Sequence, residues 1–402
     1  MKLFILLSVL ALASAVPAPV VEEKQRSWRV ESKLHYRLAN DLLEYHEQQR
    51  RSKSNYLPLY PDAPILTDIN IGTPPRTFWI SVETGIDSFW LLDKSYPSRN
   101  TSIDQPYYDP ANSSTSQYVG NYTGFSGDLE ALGDAYDDVL SMWPELNATQ
   151  RFGVIKQVND PLWVNPPLPD GIIDYSWNPA DKDNVTPDSA PILNQFAEFA
   201  QYGTNKRYYT QWLEDQTDPE YGRLYAMWTS FGGNLDGMCD PNYNTAPLTY
   251  NPSTESLEFT VDMFTYDQIG YAGGTAKVDT GVPAFLLPPD TFSSLYSTIG
   301  PLYNYQYGIY EVPCTSAGKL PDFVFTIANQ KYTIPSKSYV VDLLLGQGNC
   351  ALSMAASDAF TTDYVLGTPF HWLYCIKMDI DNTEIGFSNN LIPQPTEPPQ
   401  MH

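Results

Sequence analysis

Two short stretches of this chain could do chemistry together. The first reads Val82-Glu83-Thr84-Gly85 and, after three further residues, reaches Phe89 and Leu91. The second, 196 residues later, reads Val278-Asp279-Thr280-Gly281 and reaches Phe285 and Leu287. Each sets a carboxylate where an apolar strand gives way to a tight Thr-Gly turn. Two carboxyls held about 3 Å apart cannot ionise together and so share a proton. Such a pair could activate a water and protonate the bond that the water attacks, the apparatus of acid amide hydrolysis. It needs rigid turns, glycines that admit close backbone approach, and hydroxyl donors to fix the carboxylates. One copy carries Glu where the other carries Asp, so the pair is unequal from the start.

Other chemistries lack their residues. Of four histidines, His35 and His46 fall in the charged N-terminal region, His402 is the last residue, and His371 stands alone beside an apolar run, a structural setting. No Cys-x-x-Cys, phosphate loop or nucleotide fingerprint occurs, so no metal and no cofactor is expected. The formal charge is −24, and residues 1–53 hold nine basic against six acidic side chains, leaving the body more acidic than the total. An acidic body repels nucleic acid and anionic membrane. A basic segment ahead of it suits a pro-piece that lies across its own active face, and equally a charged tail on a solvated acidic surface.

The elements that must position the two carboxylates come from the rest of the 402 residues, enough for two domains with a core each. Residues 1–15 read as a secretory signal peptide: Met1-Lys2, an apolar run to Leu12, then Ala13-Ser14-Ala15. No later stretch is apolar enough to span a membrane. Residues 16–55 read as a helical pro-segment-like region, with Leu34, Leu38, Leu42 and Leu43 at helical spacing and Arg50-Arg51 near its end. From Tyr56 onward, short Tyr-, Val-, Thr- and Phe-rich runs alternate with turns, in a chain holding 34 prolines and 24 glycines. That texture predicts many short strands, an all-β fold. Leu66 to Val82 reads as a hairpin turning at Gly72-Thr73-Pro74-Pro75, with Phe78, Ile80 and Val82 on one face. Short helices are predicted at 190–201 and 290–298. Gly232-Gly233 and the Pro- and Asn-rich stretch 240–252 mark a seam, giving an N-terminal lobe at 56–235, a C-terminal lobe at 236–392 and a loose Pro-rich tail at 393–402. Four cysteines in a secreted chain favour disulfides in one of three pairings. Sequons stand at Asn100, Asn112, Asn121, Asn147 and Asn184, and glycans there would place these loops at the surface.

An apolar pair follows each carboxylate at a similar distance, Ile172-Ile173 after Glu83 and Val365-Leu366 after Asp279, as if one lobe were present twice. With Ile71-Gly72-Thr73-Pro74, Trp90 seven residues after Glu83, Asp170-Gly171-Ile172-Ile173, Val365-Leu366-Gly367, and the run from Cys314 through Leu320-Pro321-Asp322-Phe323-Val324-Phe325 to Cys350, the chain resembles the pepsin-like aspartic proteases, peptidase family A1. The resemblance runs from the pro-segment to about residue 390. It implies a bilobal all-β protein with a peptide-binding cleft between the lobes and a β-hairpin flap above it. Glu83 and Asp279 would be the dyad. Thr84, Gly85, Thr280 and Gly281 would form the cross-lobe grip, and Trp90 would line the cleft. The flap falls in 117–128, with Tyr122 matching the flap tyrosine, Tyr118 its rival, and the expected following Gly absent. Cys314–Cys350 matches the C-terminal disulfide loop, and Cys239–Cys375 resembles an additional pair of nematode members. Lys53 is a candidate to reach the dyad from the pro-segment.

Four departures fall at the chemistry. Glu83 replaces the first Asp, and its extra methylene makes the carboxyl overshoot by roughly 1 Å or fold back, a misplacement that can cost about a hundredfold. Ile86 and Val282 stand where the family has Ser or Thr, so both hydroxyl donors to the outer carboxylate oxygens are lost. Asp174 replaces a Gly behind the first carboxylate. The scaffold is kept while the site is altered. Three readings follow: a secreted aspartic-protease-like protein of impaired or absent endopeptidase activity that keeps a peptide-binding cleft; an active acid endopeptidase using Glu83 and Asp279; or a secreted glycoprotein acting through its surface. The partner expected is a peptide or protein in the cleft of a monomer. The compartment is extracellular, with a gut lumen or a lysosome-like space as candidates. Asn121 adjoins Tyr122, so a glycan there would crowd the cleft mouth.

Overall fold

The computed structural model describes residues 28–33, 66–85, 88–96, 107–126, 129–143, 146–158, 170–200, 206–218, 222–282, 284–304, 309–342, 348–357 and 362–392. The signal peptide, most of the pro-segment-like region, Lys53, Ile86, Asn100 and the tail at 393–402 lie outside them. One part of the pro-segment-like region differs from its helical reading. Trp28–Lys33 is a strand, β1, paired with a strand two hundred residues away. Helical spacing downstream at Leu34 to Leu43 carries no information about such a non-local pairing.

The first lobe is built on a seven-stranded sheet. β2 (Leu66–Ile71) and β3 (Arg76–Glu83) form the hairpin that the sequence predicts. Gly72 turns it with φ +89°, a conformation open to glycine at no steric cost. Phe78, Ile80 and Val82 point into the core while Trp79 is half-buried on the other face. β4 (Phe89–Leu92), β5 (Gln117–Ser126), β6 (Leu129–Trp143), β7 (Leu146–Val158) and β8 (Gly171–Asp174) complete the sheet in the order β2-β3-β8-β4-β7-β6-β5. β3 runs parallel to β8, with Glu83 opposite Asp174, and β8 runs antiparallel to β4. The chain therefore leaves β3 at Glu83, turns through Thr84-Gly85, and re-enters the same sheet as β4, two places over, with β8 between them.

β9 (Tyr208–Asp218), β10 (Gly222–Phe231) and β11 (Asn244–Pro247) belong to a six-stranded sheet shared by both halves of the chain. Its order is β1-β10-β9, then Tyr374–Asp379, Glu384–Asn389 and β11. Cys239–Cys375 ties the segment after β10 to this sheet across 136 residues, packed with Trp212 and Leu235.

The second lobe repeats the first lobe's plan. β12 (Thr249–Asn251), β13 (Ser256–Tyr266), β14 (Ile269–Val278) and β15 (Phe285–Leu287) join Phe323–Ile327, Gln330–Ile334, Met354–Ala356 and Tyr364–Leu366. β14 runs parallel to Tyr364–Leu366, which runs antiparallel to β15. This is the relation of β3, β8 and β4 once more, and it delivers Asp279 to the end of β14 as Glu83 is delivered to the end of β3. Phe323 and Phe325 anchor the core of this lobe, Phe323 stacked on Tyr339 at 4.0 Å and Phe325 on Phe285. Cys314–Cys350 closes a 36-residue excursion at its edge. The two helices forecast from the sequence are present as Pro191–Ala200 and Pro289–Ile299.

Candidate active site

Each carboxylate sits where its strand ends, so the turn after the strand decides where it points. The two turns hold each other. Thr280 N donates to Thr84 Oγ1 at 3.2 Å, Thr280 Oγ1 donates to the Val82 carbonyl at 3.1 Å, and Thr84 Oγ1 reaches the Val278 carbonyl at 3.5 Å. Both threonines are buried. A reciprocal set of bonds between the two halves fixes one turn against the other with no slack for either carboxylate.

The glycines show how close the halves come. A Cβ on Gly85 would fall 2.0 Å from Asp279 Oδ2, and a Cβ on Gly281 would fall 3.0 Å from Glu83 Cδ and 3.2 Å from Asp279 Oδ1. Each carboxylate thus lies over the glycine of the opposite turn, and both converge on Gly281. Asp279 Oδ1 accepts from Gly281 N at 3.0 Å. Asp279 is 7 % exposed and Glu83 is half-buried.

The structure adds a residue that the sequence reading passed over. Lys277, 4 % exposed, places Nζ 3.2 Å from Asp279 Oδ2 and donates to the Gly85 carbonyl at 3.2 Å. The signal was available. Residues two apart in a strand share a face, so a lysine two positions before Asp279 points to the same side as Asp279. Its counterpart before Glu83 is Ser81, too short for such a reach. This corrects the expectation that Asp279 loses its supporting donor along with the hydroxyl at position 282. Val282 offers only its backbone N, to the Asp279 carbonyl, while a cation stands at Oδ2 instead.

Asp174 is fully buried, opposite Glu83 in the β3–β8 register, and its Oδ1 accepts from Ser176 N. Its carboxylate caps a local turn behind the site. The buried phenol of Tyr209 is pushed well up, first by burial and then by the charge of Asp174, and it donates to the Tyr175 carbonyl.

Trp90 is buried beneath the β5–β6 hairpin with Leu92, Ile155 and Ile172. Between the two candidate tyrosines the geometry discriminates. The Tyr122 ring lies on Gly153, where a Cβ would meet Tyr122 Cδ1 at 2.3 Å, and its hydroxyl donates to the Phe89 carbonyl at 3.1 Å beside Ser88 Oγ. Tyr118 is 61 % exposed and stacks edge-on against Tyr136. Asn112, Asn121, Asn147 and Asn184 are all exposed, Asn121 opposite Asp134 in the hairpin. Among the described residues, the one grouping with metal-ligand types is Cys314, Cys350 and Asp342, and its two sulfurs are already bonded to each other.

Two β-sheet lobes of one plan, meeting at paired Thr-Gly turns with a carboxylate on each, define an aspartic-protease architecture. Residues 65–390 match the family described as eukaryotic aspartyl protease, and the chain belongs to that family. It is 27% identical to Aspartic protease 1 of Caenorhabditis elegans over 96% of this chain and 98% of that one. It is 25% identical to Pepsin A of Canis lupus familiaris over 96% and 99% of the two chains. Aspartic protease 17 of Caenorhabditis elegans matches at 26% over 87% of this chain and 88% of its own. Among the described residues no helix is long and apolar enough to cross a membrane.

Proposed function

We propose that this chain is a secreted aspartic-protease-like protein that binds peptide between its lobes and hydrolyses it weakly or not at all. The observation that carries the reading is Glu83 on an otherwise intact grip. Thr84 and Thr280 hold the turns in mutual register, so the turn has no freedom to retreat and make room for an extra methylene. The Glu83 carboxyl carbon consequently lies over Gly281, at the place where Asp279 Oδ1 also arrives. A dyad works by holding a water between two carboxyls of matched depth, and a shift of about 1 Å in such a site costs roughly a hundredfold. Peptide binding depends on the cleft walls and the hairpin above them, where Trp90 and Tyr122 are packed in place.

The test is hydrolysis of an unfolded protein by the chain freed of its N-terminal segment, between about pH 2 and 6, together with binding of a statine-type peptide. Binding without measurable turnover is expected. Rapid cleavage that Asp279→Asn abolishes, not slowed by the roughly hundredfold expected from a misplaced carboxyl, would overturn the impaired reading, and absence of binding at every pH would overturn the cleft. The convergence of both carboxyls on Gly281 favours the runner-up, an active acid endopeptidase using Glu83 and Asp279, and the same assay decides between them. The exposed asparagines at 112, 121, 147 and 184 suit N-glycosylation in a secretory route.

A further inference from the structure

A lysine inside a protein is rare unless it is paired, because its charge must be compensated away from water. Lys277 is buried at the end of β14, in a strand whose alternation sends Ala276 and Val278 to one side and Lys277 and Asp279 to the other. Its backbone is fixed by parallel pairing with Val365, and Asp279 N donates to the Leu366 carbonyl at 3.2 Å. The ladder fixes both backbones, so the two side chains leave the strand on the same side. The ammonium then meets Asp279 Oδ2 from its own lobe and the Gly85 carbonyl from the opposite turn, each at 3.2 Å. It spans the seam between the two halves at the level of the carboxylates.

Both oxygens of Asp279 thereby have fixed donors, Gly281 N at Oδ1 and the Lys277 ammonium at Oδ2. In a working pair of carboxyls, one proton shared between them balances the charge and serves as the acid. Here the Lys277 ammonium, 3.2 Å from Asp279 Oδ2, supplies a balancing charge from the same strand. We propose that Lys277 is a positioning residue that holds Asp279 in an internal ion pair and so silences hydrolysis at the Glu83–Asp279 site. The inference rests on the impaired reading above and gives that impairment a second cause, independent of the length of Glu83.

The two causes separate in a Glu83→Asp background, where the length defect is repaired. In the full chain, Glu83→Asp is compared with the same variant carrying Lys277→Met, Lys277→Gln or Lys277→Arg, all checked for folding by circular dichroism and thermal unfolding. Turnover of a quenched-fluorescence peptide library at acid pH is the readout. The neutral replacements are expected to raise kcat at least about tenfold over Glu83→Asp, part of the roughly 10²–10⁴-fold that acid–base groups contribute, with KM changed by less than about twofold. Lys277→Arg, which keeps the cation, is expected to stay at the Glu83→Asp level, and adding Asp279→Asn is expected to remove the gain. A purely structural lysine would not sort its replacements by charge. No rise in kcat with Met or Gln, or an equal rise with Arg, overturns the proposal. Failure of both neutral variants to fold while the Arg variant folds also overturns it, by assigning Lys277 to stability alone. If the unmutated chain instead proves active through Asp279, the impaired reading falls in its own assay. The charge-sorted comparison in the Glu83→Asp background remains a separate result.

Discussion

His371 sets a limit on how this fold tolerates acid. It closes the short helix Thr368–His371, is 2 % exposed, and its Nε2 has no hydrogen-bond partner. Burial disfavours the imidazolium and holds the group at about 3, against 6.5 for an ordinary histidine. Between these values the unfolded chain binds a proton that the folded chain refuses, so stability is intact above pH 6.5 and falls as the pH drops toward 3. At pH 4 the loss from this one residue is about 3 kcal/mol, rising toward a ceiling of about 5 kcal/mol below pH 3. That is a large share of the 5–15 kcal/mol typical of a folded domain. His371→Gln keeps a polar side chain of similar length that takes up no proton. Urea unfolding at pH 7 and pH 4 should show the wild type losing about 3 kcal/mol more than the variant over that interval. Parallel losses in the two proteins would refute the reasoning, because the acid sensitivity would then reside in the carboxylates. The outcome bears directly on the hydrolysis assay, since His371→Gln extends the acid range in which the folded protein can be tested.

The remaining expectations concern the parts that hold the site. Thr280→Val removes the donor to the buried Val82 carbonyl and should cost about 1–3 kcal/mol by chemical denaturation; an unchanged midpoint would mean that the cross-lobe grip contributes nothing. Opening Cys239–Cys375 by paired Ser substitution should destabilise by about 5 kcal/mol on chain-entropy grounds, against about 4 kcal/mol for Cys314–Cys350, because the first closes 136 residues and the second 36. The order of the two melting temperatures checks this. Tyr122→Phe removes the bond to the Phe89 carbonyl and should cost about 1 kcal/mol, with a loss of statine-peptide affinity if the hairpin it pins forms one wall of the cleft.

The sequence was readable where one physical signal dominated locally. Strand alternation placed Phe78, Ile80 and Val82 inward, helical patterning marked the segments realised as Pro191–Ala200 and Pro289–Ile299, and the doubled Thr-Gly pattern located both ends of the site. It was not readable where partners lie far apart in the chain. Trp28–Lys33 is a strand only because β10 offers it an edge, a fact absent from its own residues. The sequence favours Tyr122 over Tyr118 only by resemblance, and the space above Gly153 separates them physically. Lys277 falls between these cases. A charged residue near the end of a strand is ordinarily a solvated side chain, and its burial follows from the opposite turn covering it, which one strand's pattern cannot reveal.

The two halves of the site have changed in different ways, and the difference constrains what the changes do. In the first half the carboxylate is borne by the longer Glu83, while in the second it is borne by Asp279 with the Lys277 ammonium at its Oδ2. Loss of function without selection would be expected to erode supporting contacts as readily as reactive groups, yet the Thr84–Thr280 bonds and the packing of Trp90 are in place. Removing one partner of a buried ion pair costs about 3–5 kcal/mol, so a lysine established at position 277 resists replacement whether or not turnover matters. The grip and the ion pair therefore both bridge the same seam, one through neutral hydrogen bonds and the other through charge. On the proposed reading, a cleft rigidified in this way would lose the adaptable proton that hydrolysis needs while keeping the fixed walls that binding needs.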